Sequence, residues 1–311
     1  MSMERLDVVT KRGVVLNGVL FSEKKTDTVV IAITGIHGNF YSNPFYYNIG
    51  DTLSAGGIDF IYAQTNDAFG QIPTVNVNTG EEELIGSWNE RFAYTDEDID
   101  AYLCYAENAG YQHIYLAGHS LGANKVIYYL SRHHDRRVEH FMFLSPANLT
   151  YMMSGVTKRE AAVIKEQVES GAGDKMLPFP FMGWVECIAD TAYDWYFSGL
   201  LNNVHTDRNG DFSQAEKITH NGAMLVGTYD NFTDGDPVEF LKNLNAHMPA
   251  AGKNKLIFIK KTGHTYQGKH QEIADDILQI VQEWRSGEEP EVQIGIWESE
   301  ESAAALAQSR I

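Results

Sequence analysis

The stretch from His113 to Arg132 constrains the fold more than any other. An apolar run, His113-Ile114-Tyr115-Leu116-Ala117, leads straight into Gly118-His119-Ser120-Leu121-Gly122, and Ala123 to Arg132 continues with helical character. Passing from strand to helix this abruptly forces strained backbone angles on the serine. Side chains two positions before and two after it would collide with the neighbouring helix and strand, and glycine at both places removes the Cβ. Such a turn lifts the Ser120 hydroxyl above the sheet. It also sets a helix N-terminus beneath the hydroxyl and aims the backbone N–H of Leu121 at negative charge developing there.

The remaining pattern supplies a sheet for that turn to sit on. Leu6 to Thr10 and Val14 to Phe21, separated by Lys11-Arg12-Gly13, read as an opening hairpin. Thr28 to Ile33 is a continuous β-branched run expected to form a buried strand. Asp59 to Ala63, Glu139 to Leu144, Ala223 to Gly227 and Lys255 to Ile259 are further strands, alternating with helical stretches at Phe45 to Ala55, Thr95 to Ala109 and His270 to Arg285. This alternation predicts a mostly parallel sheet flanked by helices. Gln64 to Phe92 is expected to be a long loop with one short helical piece. Residues 149–219 break the rhythm and read as a lid inserted into a single core made of residues 1–148 and 220–286. Residues 287–311 form an acidic tail, in which Ile294, Ile296 and Trp297 could dock on the body or on a second copy in a homodimer.

Composition narrows the partners. The net charge of −18 repels phosphate backbones and anionic bilayers, so neither nucleic acid nor membrane is an expected partner. No stretch is long and apolar enough to span a bilayer, and Met1-Ser2-Met3-Glu4-Arg5 opens no signal peptide, so a cytoplasmic location is expected. Cys104 and Cys187, the two cysteines, provide neither a disulfide framework nor zinc spacing. His133-His134-Asp135 lies at a predicted helix end beside Arg136 and Arg137 and reads as a solvated cap rather than a metal site.

With the Gly118–Gly122 turn in this context, the chain resembles the α/β-hydrolase superfamily over nearly all its length. Gly86-Ser87-Trp88-Asn89-Glu90-Arg91-Phe92 is further similar to the G-x-x-W-x-E-R-F-like segment of an uncharacterised group of small bacterial and fungal hydrolases. The resemblance implies an eight-stranded, mostly parallel sheet with a helical lid and a serine nucleophile, Ser120. It also implies a catalytic acid and a histidine that follow Ser120 in that order. His264, in Thr262-Gly263-His264-Thr265 just past the last strand, is the expected base. Asp230, ending Gly227-Thr228-Tyr229-Asp230, is the expected acid, with Asp234 and Asp236 as competitors. The resemblance assigns the second oxyanion donor to the N–H of Asn39 in Gly35-Ile36-His37-Gly38-Asn39-Phe40, with Phe40 the alternative and His37 supporting the loop.

Phe40, His119, Trp184 and Trp195 are expected to contact substrate. The aromatics of 179–197 would either fill the lid's own core or line an apolar pocket. The implied activity is cleavage of a small-molecule carboxylic ester through an acyl-enzyme, with a hydrophobic or aromatic substrate part and without metal or organic cofactor. The same groups would serve a thioesterase, lactonase or amidase, or a binding protein that keeps the residues without turnover.

Overall fold

A computed structural model of the chain describes residues 2–287; the expected acidic tail beyond Gly287, with Ile294, Ile296 and Trp297, lies outside the described residues. Strands β1 (Ser2–Val9) and β2 (Val15–Ser22) form the opening hairpin, with Val8 opposite Leu16. Then come β3 (Thr28–Ile33), α1 (Pro44–Ala55), β4 (Asp59–Ala63), β5 (Ile72–Val75), β6 (Glu82–Ile85), α2 (Tyr94–Ala109), β7 (His113–His119) and α3 (Leu121–Arg132). After β8 (Val138–Leu144) follow α4 (Leu149–Met153), α5 (Lys158–Glu169) and α6 (Ala189–Ser198), then β9 (Gly222–Gly227), α7 (Pro237–Ala246), β10 (Lys255–Ile259) and α8 (His270–Ser286).

Eight strands form one sheet in the order β1-β2-β4-β3-β7-β8-β9-β10. β2 runs antiparallel to both neighbours, and every pair from β4 to β10 is parallel. This is the α/β-hydrolase fold. β3 shows why its sequence has no polar face: Val29, Ile31 and Ile33 enter the core under α2, α3 and α7, while Val30 and Ala32 enter the core under α1 and α8. A strand covered on both sides must be apolar throughout.

The 64–92 region departs from the loop expectation. It holds the two-stranded β5–β6 hairpin and one helical turn at Ser87–Asn89. Only Ile85 of the eight paired residues is buried, so burial leaves little alternation for sequence to reveal. Helix α2 begins at Tyr94, not with Thr95 as its cap, because Thr95 is itself buried inside the first turn.

Residues 149–219 carry α4, α5 and α6 between β8 and β9. Helix α5 starts with a capping box: Thr157 accepts from the Glu160 N–H, and Glu160 accepts from the Thr157 N–H. The segment has its own apolar cluster, including Ile164, Phe181 and Trp195, which meets the main body at Phe92, Leu121 and Tyr128. Trp88 to Phe92 clasps it. The Trp88 carbonyl accepts from Ile188 N–H (2.9 Å) and Thr191 Oγ1 (3.2 Å), Arg91 pairs with Asp190 (2.6 Å), and Phe92 N–H donates to Asp194 (3.0 Å).

Candidate active site

The elbow has the conformation its glycines require. Ser120 sits at φ 57°, ψ −129° between β7 and α3. A Cβ on Gly118 would lie 2.3 Å from the Gly122 carbonyl oxygen, and one on Gly122 would lie 2.3 Å from that of Ile33. Both distances are impossible for a real side chain, so strand, helix and β3 close on Ser120 only with glycine at both positions. Ser120 remains half-buried and reachable.

Three side chains from three loops converge here. Ser120 Oγ lies 2.8 Å from His264 Nε2, and His264 Nδ1 lies 2.9 and 3.1 Å from the Asp230 carboxylate oxygens. Asp230 follows β9 and His264 follows β10, at the same sheet end as the elbow. Asp230 is buried, accepts a further bond from Phe232 N–H (2.9 Å), and so holds the imidazole with Nδ1 protonated and Nε2 free to accept. The Phe232 ring stacks on His264 at 4.2 Å. The competing acids are occupied elsewhere: Asp236 caps α7 through Val238 N–H, and exposed Asp234 occupies a left-handed turn.

His119 does not line a substrate pocket. It is buried, packs against Phe45 at 4.7 Å, and its Nε2–H donates to the His264 carbonyl at 2.8 Å. Burial, with His264 alongside, holds its pKa far below the usual histidine range, at about 3. The unfolded chain therefore binds a proton here near pH 6.5 that the folded chain refuses until about pH 3. Stability from neutral His119 is present above that window and is lost as pH falls through it. His119→Asn, which retains an N–H donor but does not titrate, is expected to flatten the acid limb of a urea-midpoint-versus-pH curve. An unchanged slope would show that acid unfolding is driven elsewhere.

The oxyanion assignment needs correction. Asn39 N–H donates to Ser42 Oγ (2.9 Å) and Phe40 N–H to Gln64 Oε1 (3.1 Å), so both are committed. The glycine packed on the elbow is Gly35: a Cβ there would lie 3.0 Å from Ser120 Cβ and 3.2 Å from Leu121 N. The next residue, Ile36, has a backbone N–H with no acceptor among the described residues, as does Leu121. Leu121 directly follows the serine, and Ile36 directly follows the glycine that packs on it. The Asn39 side chain instead staples the loop, donating to the carbonyls of His37 (3.2 Å) and Ala68 (2.9 Å).

One further substrate contact, Trp195, is corrected, while Phe40 keeps part of its ring open. Trp195 is buried in the helical segment's cluster, 4.9 Å from the Phe92 ring, and the half-buried Phe40 ring packs edge-on against Tyr62 at 5.0 Å. Trp184, by contrast, is 45% exposed and meets His37 edge-on at 5.4 Å.

The structure also reveals a hub that sequence reading missed. Lys125 on α3 is fully buried and pairs with Asp67 (2.8 Å) and Glu90 (3.1 Å), also fully buried. Glu90 accepts from Asn66 Nδ2 (2.7 Å), whose backbone N–H donates to buried Asp98, itself paired with Arg12 (2.7 Å). Burial alone would lower the Lys125 pKa, but Asp67, Glu90 and Asp98 more than offset it and keep the ammonium charged. Burial pushes Glu90 upward. The Asp67 carbonyl receives His37 N–H (2.9 Å), so the hub joins the elbow helix to the loop carrying Ile36. Asn124, next to Lys125, bonds to Ala147 just before the inserted segment and to Leu201 within it, and so ties that segment to α3.

His133 pairs with Asp96 (3.2 Å), and Asp135 with Arg137 and Tyr129 (2.6 and 2.7 Å). No group of three potential metal ligands occurs among the described residues, and no described helix is long and apolar enough to cross a membrane.

The sequence profile of the family described as Protein of unknown function (DUF1749) matches residues 9–213, which include Ser120 but stop short of Asp230 and His264. No curated protein matches the sequence. Among solved structures the chain is similar to Est1E from Butyrivibrio proteoclasticus, at 15% identity over 91% of this chain and 99% of that one, with a TM-score of 0.59. It is similar to the α/β hydrolase GrgF from Penicillium sp. sh18 at 15% identity, over 91% and 98%, with a TM-score of 0.65. The Pyrococcus furiosus esterase Pf2001 is similar at 14% identity, over 91% and 93%, with a TM-score of 0.56. At these identities the likeness establishes the shared fold.

Proposed function

Because the chain belongs to the DUF1749 family, whose description leaves activity open, we propose its function from the site itself: it is a serine hydrolase that cleaves a carboxylic ester through an acyl-enzyme. The observation that carries this reading is the unbroken relay of Ser120 Oγ, His264 and Asp230 at 2.8 and 2.9 Å, on an elbow that leaves the serine reachable. A serine hydroxyl is a weak nucleophile until a base takes its proton. His264 takes it as Ser120 attacks the carbonyl, then returns it to the leaving alcohol, while Asp230 stabilises the imidazolium. The N–H groups of Ile36 and Leu121 hold the tetrahedral oxyanion, Leu121 with the aid of the α3 N-terminus. Water activated by His264 then releases the acid. Residues 149–219 act as the lid, and several similar structures are described as esterases, in keeping with this chemistry.

The test is labelling by a fluorophosphonate, read by intact mass. The expected result is one adduct on the wild type, none on Ser120→Ala and slow labelling of His264→Ala, followed by turnover on a panel of esters, thioesters, lactones and amides in which esters lead. A folded wild type that neither labels nor turns over any of them, yet is stabilised by such compounds, would replace the hydrolase with a binding protein. Asn39→Ala removes three loop-stapling hydrogen bonds, to the His37 and Ala68 carbonyls and from Tyr41 N–H, rather than an oxyanion donor. It is therefore expected to lower kcat/KM by about tenfold.

A further inference from the structure

A cleft of ≈ 600 Å³ that the proposed chemistry does not use opens against the loop after β3. His37 and Ser87 of the core line it together with Trp88, Met176, Pro180 and Trp184. Core and inserted segment thus each supply a wall.

Four observations indicate what it holds. First, a short stretch of chain ties it to the reacting centre. Gly35 packs on Ser120, and His37 is two residues further on, so at most about 7 Å of backbone separates that contact from the cleft wall. Second, the walls include two indoles, with the exposed Trp184 set edge-on to the His37 ring. Third, Trp88 lines the cleft, and its indole N–H, shielded from solvent as it stands, has no acceptor among the described residues, so a small turn of the ring toward the cleft would let a bound group satisfy it. Fourth, among the described residues no lysine or arginine lines the cleft, Glu186 does, and burial lowers the His37 pKa, favouring a neutral ring. That ring is fixed in place. His37 holds a positive φ of 53°, its Nε2 meets Ser87 Oγ at 2.7 Å, and its carbonyl accepts from Ser42 Oγ at 2.7 Å. A non-glycine residue held there by several bonds is a feature of ligand-binding loops.

We propose that this cleft is a substrate subsite for a flat aromatic group that bears a hydrogen-bond acceptor and no negative charge. The group is joined by a short linker to the ester carbonyl at Ser120. The proposal rests on the serine-hydrolase reading for its link to catalysis. The ring packs against Trp184, and the acceptor takes the Trp88 N–H.

Two matched series test it. One compares methyl 3-(4-methoxyphenyl)propanoate with its plain phenyl analogue and methyl butanoate; the other places the same groups on the alcohol side of an acetate. In one series the wild type is expected to prefer the aryl ester by tenfold or more in kcat/KM. Trp184→Ala should cut that preference about tenfold. Trp88→Phe, which keeps a ring but removes the donor, should erase the preference for methoxyphenyl over phenyl. Binding is read separately by calorimetry with the non-hydrolysable N-methyl amide of the aryl acid and the N-acetyl amine matching the aryl alcohol. At least one should bind Ser120→Ala about tenfold more tightly than it binds Ser120→Ala/Trp184→Ala. Failure of both amides to bind, or equal affinities in the two proteins, overturns the subsite even if esters are hydrolysed. Binding that depends on Trp184, without turnover of any ester, upholds the subsite and overturns the hydrolase reading.

Discussion

Ser120→Ala is expected to lower kcat by about 10⁶-fold while leaving the fold intact. The magnitude follows from the relay. Without Oγ, His264 has no proton to take, Asp230 has no imidazolium to stabilise, and no acyl-enzyme forms. What survives is the effect of positioning and of the Ile36 and Leu121 N–H groups on direct attack by water, about 10³–10⁴ over solution. Because the residues act as a unit, Ser120→Ala/His264→Ala should be no slower than Ser120→Ala alone. Steady-state kinetics on the best ester, with thermal unfolding as the control for folding, decides the matter. A loss below a hundredfold would mean that another group performs the chemistry.

The second large effect concerns stability. Lys125→Met leaves Asp67 and Glu90 facing each other in a fully buried site without their cation. Breaking such a set from one side costs about 3–5 kcal/mol, since desolvation of the remaining charge is no longer offset. Urea unfolding should show that loss, and Lys125→Met/Glu90→Gln should recover part of it by removing one stranded carboxyl. A change under 1 kcal/mol in the single variant would show that water or neutralisation relieves the site. The hub also links α3 to the Ile36 loop, so kcat in Lys125→Met is expected to fall more than KM changes.

The legibility of the chain tracks how local each signal is. Gly118, Ser120 and Gly122 are read in one glance because one turn imposes all three. Asp230 and His264 could be picked from many acids and eleven histidines because each directly follows a strand whose end faces the elbow. The loop after β3 is harder to read because His37-Gly38 looks like the expected pair, whereas the glycine that packs on Ser120 is Gly35, three residues before Gly38. Only the packing of β3 against the elbow fixes that register. His119 and Trp195 failed for a different reason. Adjacency to the nucleophile, or membership of an aromatic helix, does not say which side of an element faces the ligand, and both side chains turned into cores. The Lys125 hub joins residues 12, 67, 90, 98 and 125, and no periodicity announces a contact of that kind.

The strand order also sets a timetable for the nascent chain. Every strand needed to build the elbow has been synthesised by Leu144, whereas the imidazole resides 144 positions beyond Ser120, past the terminal strand of the sheet. On a translating ribosome Ser120 therefore emerges long before His264, and the relay between them cannot form until β10 docks beside β9. On the proposed serine-hydrolase reading, a polypeptide that stalls or is cut before that step presents a serine with no activating partner, so incomplete products lack the nucleophilic route.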